Sequence, residues 1–194
     1  MAKTDKKSGI AGTIVFVALA AIVIFGIYLS LTRDKNKGKF EANVDTSEAS
    51  NLIAKDLKNS YPGTAREVMK LYCRITQCLY SDELSDDEID KLIDQLRMLY
   101  AKDLLAENDR TMMIGLARGE IKHYNSNKMT INSYNVEESG EIEMFRDETP
   151  QRAIVDIYFT IKNDNDKSFD RAYEEFVLIE EDSKWKILGW RQIQ

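Results

Sequence analysis

The sequence predicts an α+β domain, helices packed on one face of a curved antiparallel sheet, held behind an N-terminal membrane-spanning helix. Three observations predict it. Residues 9–32 contain no charged side chain. Three helix-start signals, each followed by apolar residues at three- to four-residue spacing, occupy the first half of what remains. Alternating apolar and polar residues occupy the second half. Helices first and strands afterwards is the order of an α+β fold.

The uncharged run lies between Lys7 and Arg33 and is dominated by Ile14, Val15, Phe16, Val17, Leu19, Ile22, Val23, Ile24 and Phe25. As a helix, 24 residues extend about 36 Å, enough to cross a hydrocarbon core of about 30 Å with some tilt. Only a helix satisfies its own backbone polar groups in lipid. Ala18-Leu19-Ala20 imitates a signal-peptide cleavage site, yet the apolar run continues past it, so the reading is an uncleaved single-pass anchor. Lys3, Lys6 and Lys7 precede the run, and Arg33, Lys35, Lys37 and Lys39 follow it, a near tie that leaves the inverted orientation as a competing reading. Long domains translocate largely regardless of charge, which favours residues 1–8 as a short cytoplasmic tail and the domain outside. The expected organisation is tail 1–8, span 9–32, juxtamembrane linker 33–44 and folded domain 45–194, located at the cell membrane and facing out of the cytoplasm.

In the domain, Asp45-Thr46-Ser47-Glu48 opens a first helix with Ala49, Leu52, Ile53 and Leu57 on one side, broken by Pro62-Gly63. Thr64-Ala65-Arg66-Glu67 is a capping box ahead of Val68, Leu71, Tyr72, Ile75 and Leu79. Ser85-Asp86-Asp87-Glu88 is another, ahead of Ile89, Leu92, Ile93, Leu96, Leu99 and Tyr100. A fourth helix, from about Asp109 to Tyr124, is weakened by Gly115 and Gly119. Short strands are expected at 129–136 and 141–145. In 153–161 every odd position is apolar, so one face is buried. Asn163-Asp164-Asn165-Asp166 turns the chain, 171–180 returns as a strand, Glu181-Asp182-Ser183 turns again, and 184–193 closes the sheet.

Charge excludes one function class. Residues 1–39 hold seven basic and two acidic groups, and residues 40–194 hold 20 and 31. A domain that acidic is poorly suited to phosphate backbones, so no nucleic-acid partner is expected. Two cysteines and one histidine exclude a disulfide scaffold, a multi-cysteine zinc site and a two-histidine relay. Phosphate-binding loops, nucleophile elbows and zinc spacings are absent from the sequence.

The helices, with a sheet that ends in Tyr173-Glu174-Glu175-Phe176-Val177-Leu178 and Trp185-Lys186-Ile187-Leu188-Gly189-Trp190, resemble the cone-shaped NTF2-like superfamily. Pro62-Gly63-Thr64-Ala65-Arg66-Glu67-Val68 with that C-terminal hairpin is similar to uncharacterised membrane-anchored proteins of Gram-positive bacteria. The resemblance covers roughly residues 45–194, and its motifs cap a helix and finish a sheet. It implies a cone that holds an enzyme site, a ligand pocket or only side chains, and it selects no function among them.

His123, in a polar helix end, reads as a capping or surface residue rather than a general base. Cys73 and Cys78, five apart on one helix, point in different directions and read as packing residues. The acidic run Asp82, Glu83, Asp86, Asp87, Glu88, Asp90 and the group Asp164, Asp166, Asp170 lack an EF-hand pattern and read as a helix start and a turn. Asp156 is expected to point away from the core. Tyr158, Tyr173 and Trp190 are the candidates for a pocket or contact surface. No catalytic, cofactor-binding or metal-binding residue is expected, and no cofactor. The function expected is a non-enzymatic binding or assembly module of the cell envelope, its partners the bilayer through residues 9–32 and a protein or a second copy of the chain. A small-ligand or enzymatic cone is the alternative.

Overall fold

The computed structural model describes residues 46–81 and 83–193. The expected tail, span and linker lie outside them. Among the described residues, no helix is long and apolar enough to cross a membrane. Among the described residues five helices precede five strands: α1 (Thr46–Ile53), α2 (Ala65–Ser81), α3 (Asp86–Leu99), α4 (Lys102–Glu107), α5 (Arg110–Ser126), β1 (Met129–Val136), β2 (Glu143–Phe145), β3 (Arg152–Asn163), β4 (Ser168–Glu181) and β5 (Lys184–Ile193). This is the α+β order read from the sequence.

The helix starts form as their residues dictate. Thr64 Oγ1 accepts from the Glu67 amide at 3.2 Å, and Glu67 Oε2 accepts from the Gly63 and Thr64 amides at 2.9 and 3.1 Å. Ser85 and Glu88 make the same reciprocal cap on α3. Asp109 caps α5 through the Met112 amide at 3.0 Å. The first helix is shorter than expected: it stops at Ile53, and Leu57 is buried from the turn that follows. Asp56 explains this, since its carboxylate takes the Lys58 and Asn59 amides at 3.1 and 3.2 Å and so offers the backbone an alternative to the helix. The sequence reading also missed α4. It buries only Leu104 and has no apolar stripe to announce it; it is anchored by the Ala101 amide, which donates to the Ile187 carbonyl at 2.8 Å.

The sheet is antiparallel throughout, in the order β1-β3-β4-β5, with β2 pairing β3 on the same side as β1. β1 and β2 are thus one interrupted neighbour of β3. Register irregularities at Ile131/Ser133 and at Val177/Leu178 are bulges, which bend and twist the strands that carry them. Asp182 and Ser183 both have positive φ (50° and 58°), giving the tight β4–β5 turn a twist that suits the flanking strands.

Helix α2 lies along β1 and also meets β3 and β5, while α3 packs on α1, α2 and α5. Buried residues occur around most of α2, including Val68, Met69, Tyr72, Cys73, Ile75, Thr76 and Leu79. A helix apolar beyond a single stripe is one held between layers. The core therefore sits between α2 and one face of the sheet: Ala153, Val155, Ile157, Phe159 and Ile161 of β3, Phe176 and Leu178 of β4, Ile187 and Trp190 of β5. Both sheet edges are blunted. Gln77 and Ser81 donate to the Ile131 carbonyl at 3.2 and 2.8 Å, Arg66 donates to the Glu137 carbonyl at 2.7 Å, and Tyr61 donates to the Trp185 carbonyl at 2.8 Å.

Candidate functional site

Each strand sends alternate side chains to opposite faces, so the register decides what can act together. Tyr158 of β3 stands opposite Tyr173 of β4, with ring centroids 5.4 Å apart. Both belong to the face away from the helices. Arg171 places its guanidinium 4.9 Å from the centre of the Tyr158 ring, and its Nη1 donates to Tyr173 Oη at 3.4 Å. Phe169, two residues further along the same face, is 58% exposed, and Tyr173 is 37% exposed. The result is a solvent-facing aromatic patch with an arginine laid across it. Asp156 also faces outward and is exposed; partial burial and the neighbouring Glu175 carboxylate raise its pKa.

Trp190 does not join this patch. It pairs with Phe176 in the β4–β5 register and turns inward, 4% exposed. Its ring stacks on Phe176 at 5.2 Å and lies 6.0 Å from Tyr72 and 6.1 Å from Tyr100. The three expected site residues are thus split between the two faces of the sheet: two form a surface and the third belongs to the interior.

The inner face also holds what the sequence reading passed over. Glu174 of β4 is 2% exposed and Glu120 of α5 is 7% exposed. Glu120 Oε2 accepts from the Tyr80 hydroxyl, while Glu120 Oε1 and Glu174 Oε2 are buried with no hydrogen-bond partner among the described residues. Burial pushes the Glu174 carboxyl up to about 8, with a contribution from Glu120, and burial pushes Glu120 up to about 7. A signal for both was present in the sequence. Glu174 alternates with the apolar Ala172, Phe176 and Leu178, and Glu120 falls on the stripe of Met113, Ala117 and Tyr124. A charged residue in an apolar periodic position marks a buried site.

Several of the remaining candidates have structural partners, and Asp82 lies outside the described residues. The Asn127 side-chain amide lies 3.2 Å from His123 Nδ1 at the end of α5 and donates to the His123 carbonyl at 2.8 Å. Cys73 and Cys78 are both buried, and burial raises the Cys73 pKa, which disfavours its reactive thiolate. Asp86 and Asp90 pair with Arg118 at 3.6 and 2.7 Å, Asp87 with Lys91 at 2.5 Å, and Asp164 with Lys162 at 2.7 Å. Among the described residues, no group of three His, Cys, Asp or Glu side chains is arranged to hold a metal ion. A 450 Å³ surface recess between α3 and α5 is lined by Asp86, Ile89, Arg118, Ile121, Lys122, Asn125 and Ser126, none of them a residue of the patch.

Among solved structures, a protein described as a calcium/calmodulin dependent protein kinase II association domain, from Xanthomonas campestris, is similar at 17% identity with a TM-score of 0.33, over 81% of this chain and 96% of that one. No curated protein matches the chain. The sequence profile of the family described as Domain of unknown function (DUF6715) matches residues 1–190, and the chain belongs to that family.

Proposed function

We propose that this member of the family is a membrane-tethered, extracytoplasmic module of NTF2-like architecture. It is non-enzymatic and binds a protein partner or a second copy of itself through the uncovered face of its sheet. The observation that carries this reading is the exposed Tyr158–Tyr173–Arg171–Phe169 patch. Tyrosine, phenylalanine and arginine are enriched where proteins meet, and rigid aromatic rings bring large contact area at low entropic cost. Arg171, already laid on Tyr158, is preorganised for contact. With the sheet edges capped by side chains, face-on packing is favoured over strand addition. The uncharged residues 9–32 supply the tether, and a linker of about a dozen residues keeps the domain near the bilayer.

The test is purification of the full-length chain from membranes in mild detergent, beside a variant carrying F169E and Y173S. The wild type is expected to emerge with a stoichiometric protein partner or as a defined oligomer. The variant should emerge alone and monomeric, with an unchanged circular-dichroism spectrum. A wild type that is monomeric and unaccompanied, or a variant that keeps its partner, removes this reading.

A further inference from the structure

Along β4 the outward side chains are Phe169, Arg171, Tyr173, Glu175 and Val177, one at every second residue. About Tyr173 this series is symmetric in apolar character and opposite in charge. Arg171 on one side answers Glu175 on the other, and Phe169 answers Val177. The neighbouring strands keep the contrast. Arg171 stands opposite the neutral Thr160, whereas Glu175 stands between Asp156 of β3 and Arg191 of β5. Glu137 adds a further acid there, its carboxylate accepting from the Asp156 amide at 2.9 Å. One end of the patch is therefore positive and the other is negative.

These charges are only partly spent within the chain. Among the described residues Arg171 meets no carboxylate; its contacts are the Tyr158 ring and the Tyr173 hydroxyl. Arg191 pairs with Glu175 at 2.7 Å, and Asp156 makes no ion pair among the described residues. Lys162, in the row of Phe169, holds Asp164 at 2.7 Å. The Arg171 row thus keeps one unpaired cation, and the Asp156–Glu175 row keeps an excess of acid. The two rows are four residues apart, about 14 Å along the strand. A surface with this pattern is complementary to itself once its direction is reversed.

We propose that a second copy of the chain is the occupant of this face. The inference rests on the reading of the patch as an association surface and names what binds there. The two sheets pack face to face about a two-fold axis that lies across the strands at the Tyr158–Tyr173 row, so that their strands run antiparallel. Tyr173 meets Tyr173, and Arg171 of each copy lies over the Asp156–Glu175 row of the other. Ile154 and the nearly buried Val177 form an apolar floor for Phe169, which is 58% exposed. The other two-fold arrangement, with strands parallel, would set Arg171 near Arg171 and Glu175 near Glu175, and like charges exclude it.

The point where the chain enters the domain agrees with this axis. Glu48, in the first turn of α1, pairs with Arg74 of α2 at 2.5 Å. Arg74 lies on the same stripe of α2 as Gln77 and Ser81, which bond the β1 edge. An axis across the strands keeps both β1 edges at one end of the dimer. Both chains then enter from the same side, as two tethers in one membrane require.

The experiment uses full-length chains in mild detergent, with R171E and E175R carrying different affinity tags. Association is read by sedimentation velocity and by capturing one tag through the other. The wild type should sediment as a dimer. R171E alone and E175R alone should each associate at least about tenfold more weakly, because like charges then meet at both contacts. Mixed one to one, they should recover a dimer that holds both tags, since opposite charges meet again. Y173C supplies an arm without charge reversal. Its two copies meet on the axis and should be coupled by bismaleimidoethane, whereas K162C copies, about 27 Å apart, should not. The wild type, with Cys73 and Cys78 buried, is the uncoupled control. A wild type held by a different protein, a mixture that fails to restore the dimer, or equal coupling of Y173C and K162C overturns this inference while leaving an association surface in place. A wild type that is monomeric and unaccompanied overturns both.

Discussion

Glu174 and Glu175 are neighbours in one strand and live in different media. Glu175 faces outward, where Arg191 meets it at 2.7 Å. Glu174 faces inward, has no cation partner among the described residues, and is pushed up to about 8 by burial. A step of one residue along β4 exchanges water for a chamber of aromatic rings. The same alternation separates Tyr173, a surface residue, from Phe176 and its cross-strand partner Trp190, which are stacked in the core. A sheet covered by helices on one face has two chemistries, and the pleat decides which side chain belongs to which.

The sharpest way to break this contrast is to delete an inner ring. F176A should lower unfolding stability by about 3–5 kcal/mol in urea denaturation, because Phe176 is fully buried and its cavity lies against Tyr72 and Trp190. A loss below about 1 kcal/mol would mean that the inner face is not the packed core.

The second effect depends on pH. Glu174 and Glu120 have folded-state values of about 8 and about 7 against an ordinary 4.5. A raised carboxyl pKa contributes stability that is fully present below pH 4.5 and is lost as pH rises through the folded values. Denaturation midpoints measured from pH 5 to pH 9 should therefore fall, by an amount on the order of a few kcal/mol. E174Q should remove a large part of that fall. E175Q, which breaks an exposed pair, should change stability by under about 1 kcal/mol and leave the fall in place. Equal behaviour of the two variants would abolish the distinction between the faces.

The smallest effect belongs to the outer patch. Y173S should alter stability by no more than about 0.5 kcal/mol, as measured by urea denaturation of the monomer. Its consequence is expected in association. A large destabilisation would show that the patch is part of the fold rather than a surface for contact.

Much of this was legible in the chain. The two capping boxes, at Thr64 and Ser85, and the Asp109 cap are local devices, and they start helices where the sequence places them. The odd-position alternation of 153–161 requires a strand with one buried face, and that face is buried. The elements missed or misjudged were those without a local signature. Helix α4 has six residues and one buried leucine, so its position depends on the β5 edge it meets. The end of α1 was set by the Asp56 side chain competing for nearby amides. Trp190 was grouped with Tyr158 and Tyr173 because aromatic identity carries no information about facing. Only the pairing of β5 with β4, through the bulge at Val177/Leu178, turns it inward.

The chain alone, through short-range periodicity and side-chain capping, determined the order of helices and strands, the α+β class and the inward alternation of β3. Tertiary structure decided which residues share an environment. The separation of the aromatic patch from the aromatic interior depends on the register between neighbouring strands, and the burial of Glu120 and Glu174 depends on layer packing between segments more than fifty residues apart. Contacts at that distance are chosen by the burial of whole faces, which no local stretch of sequence contains.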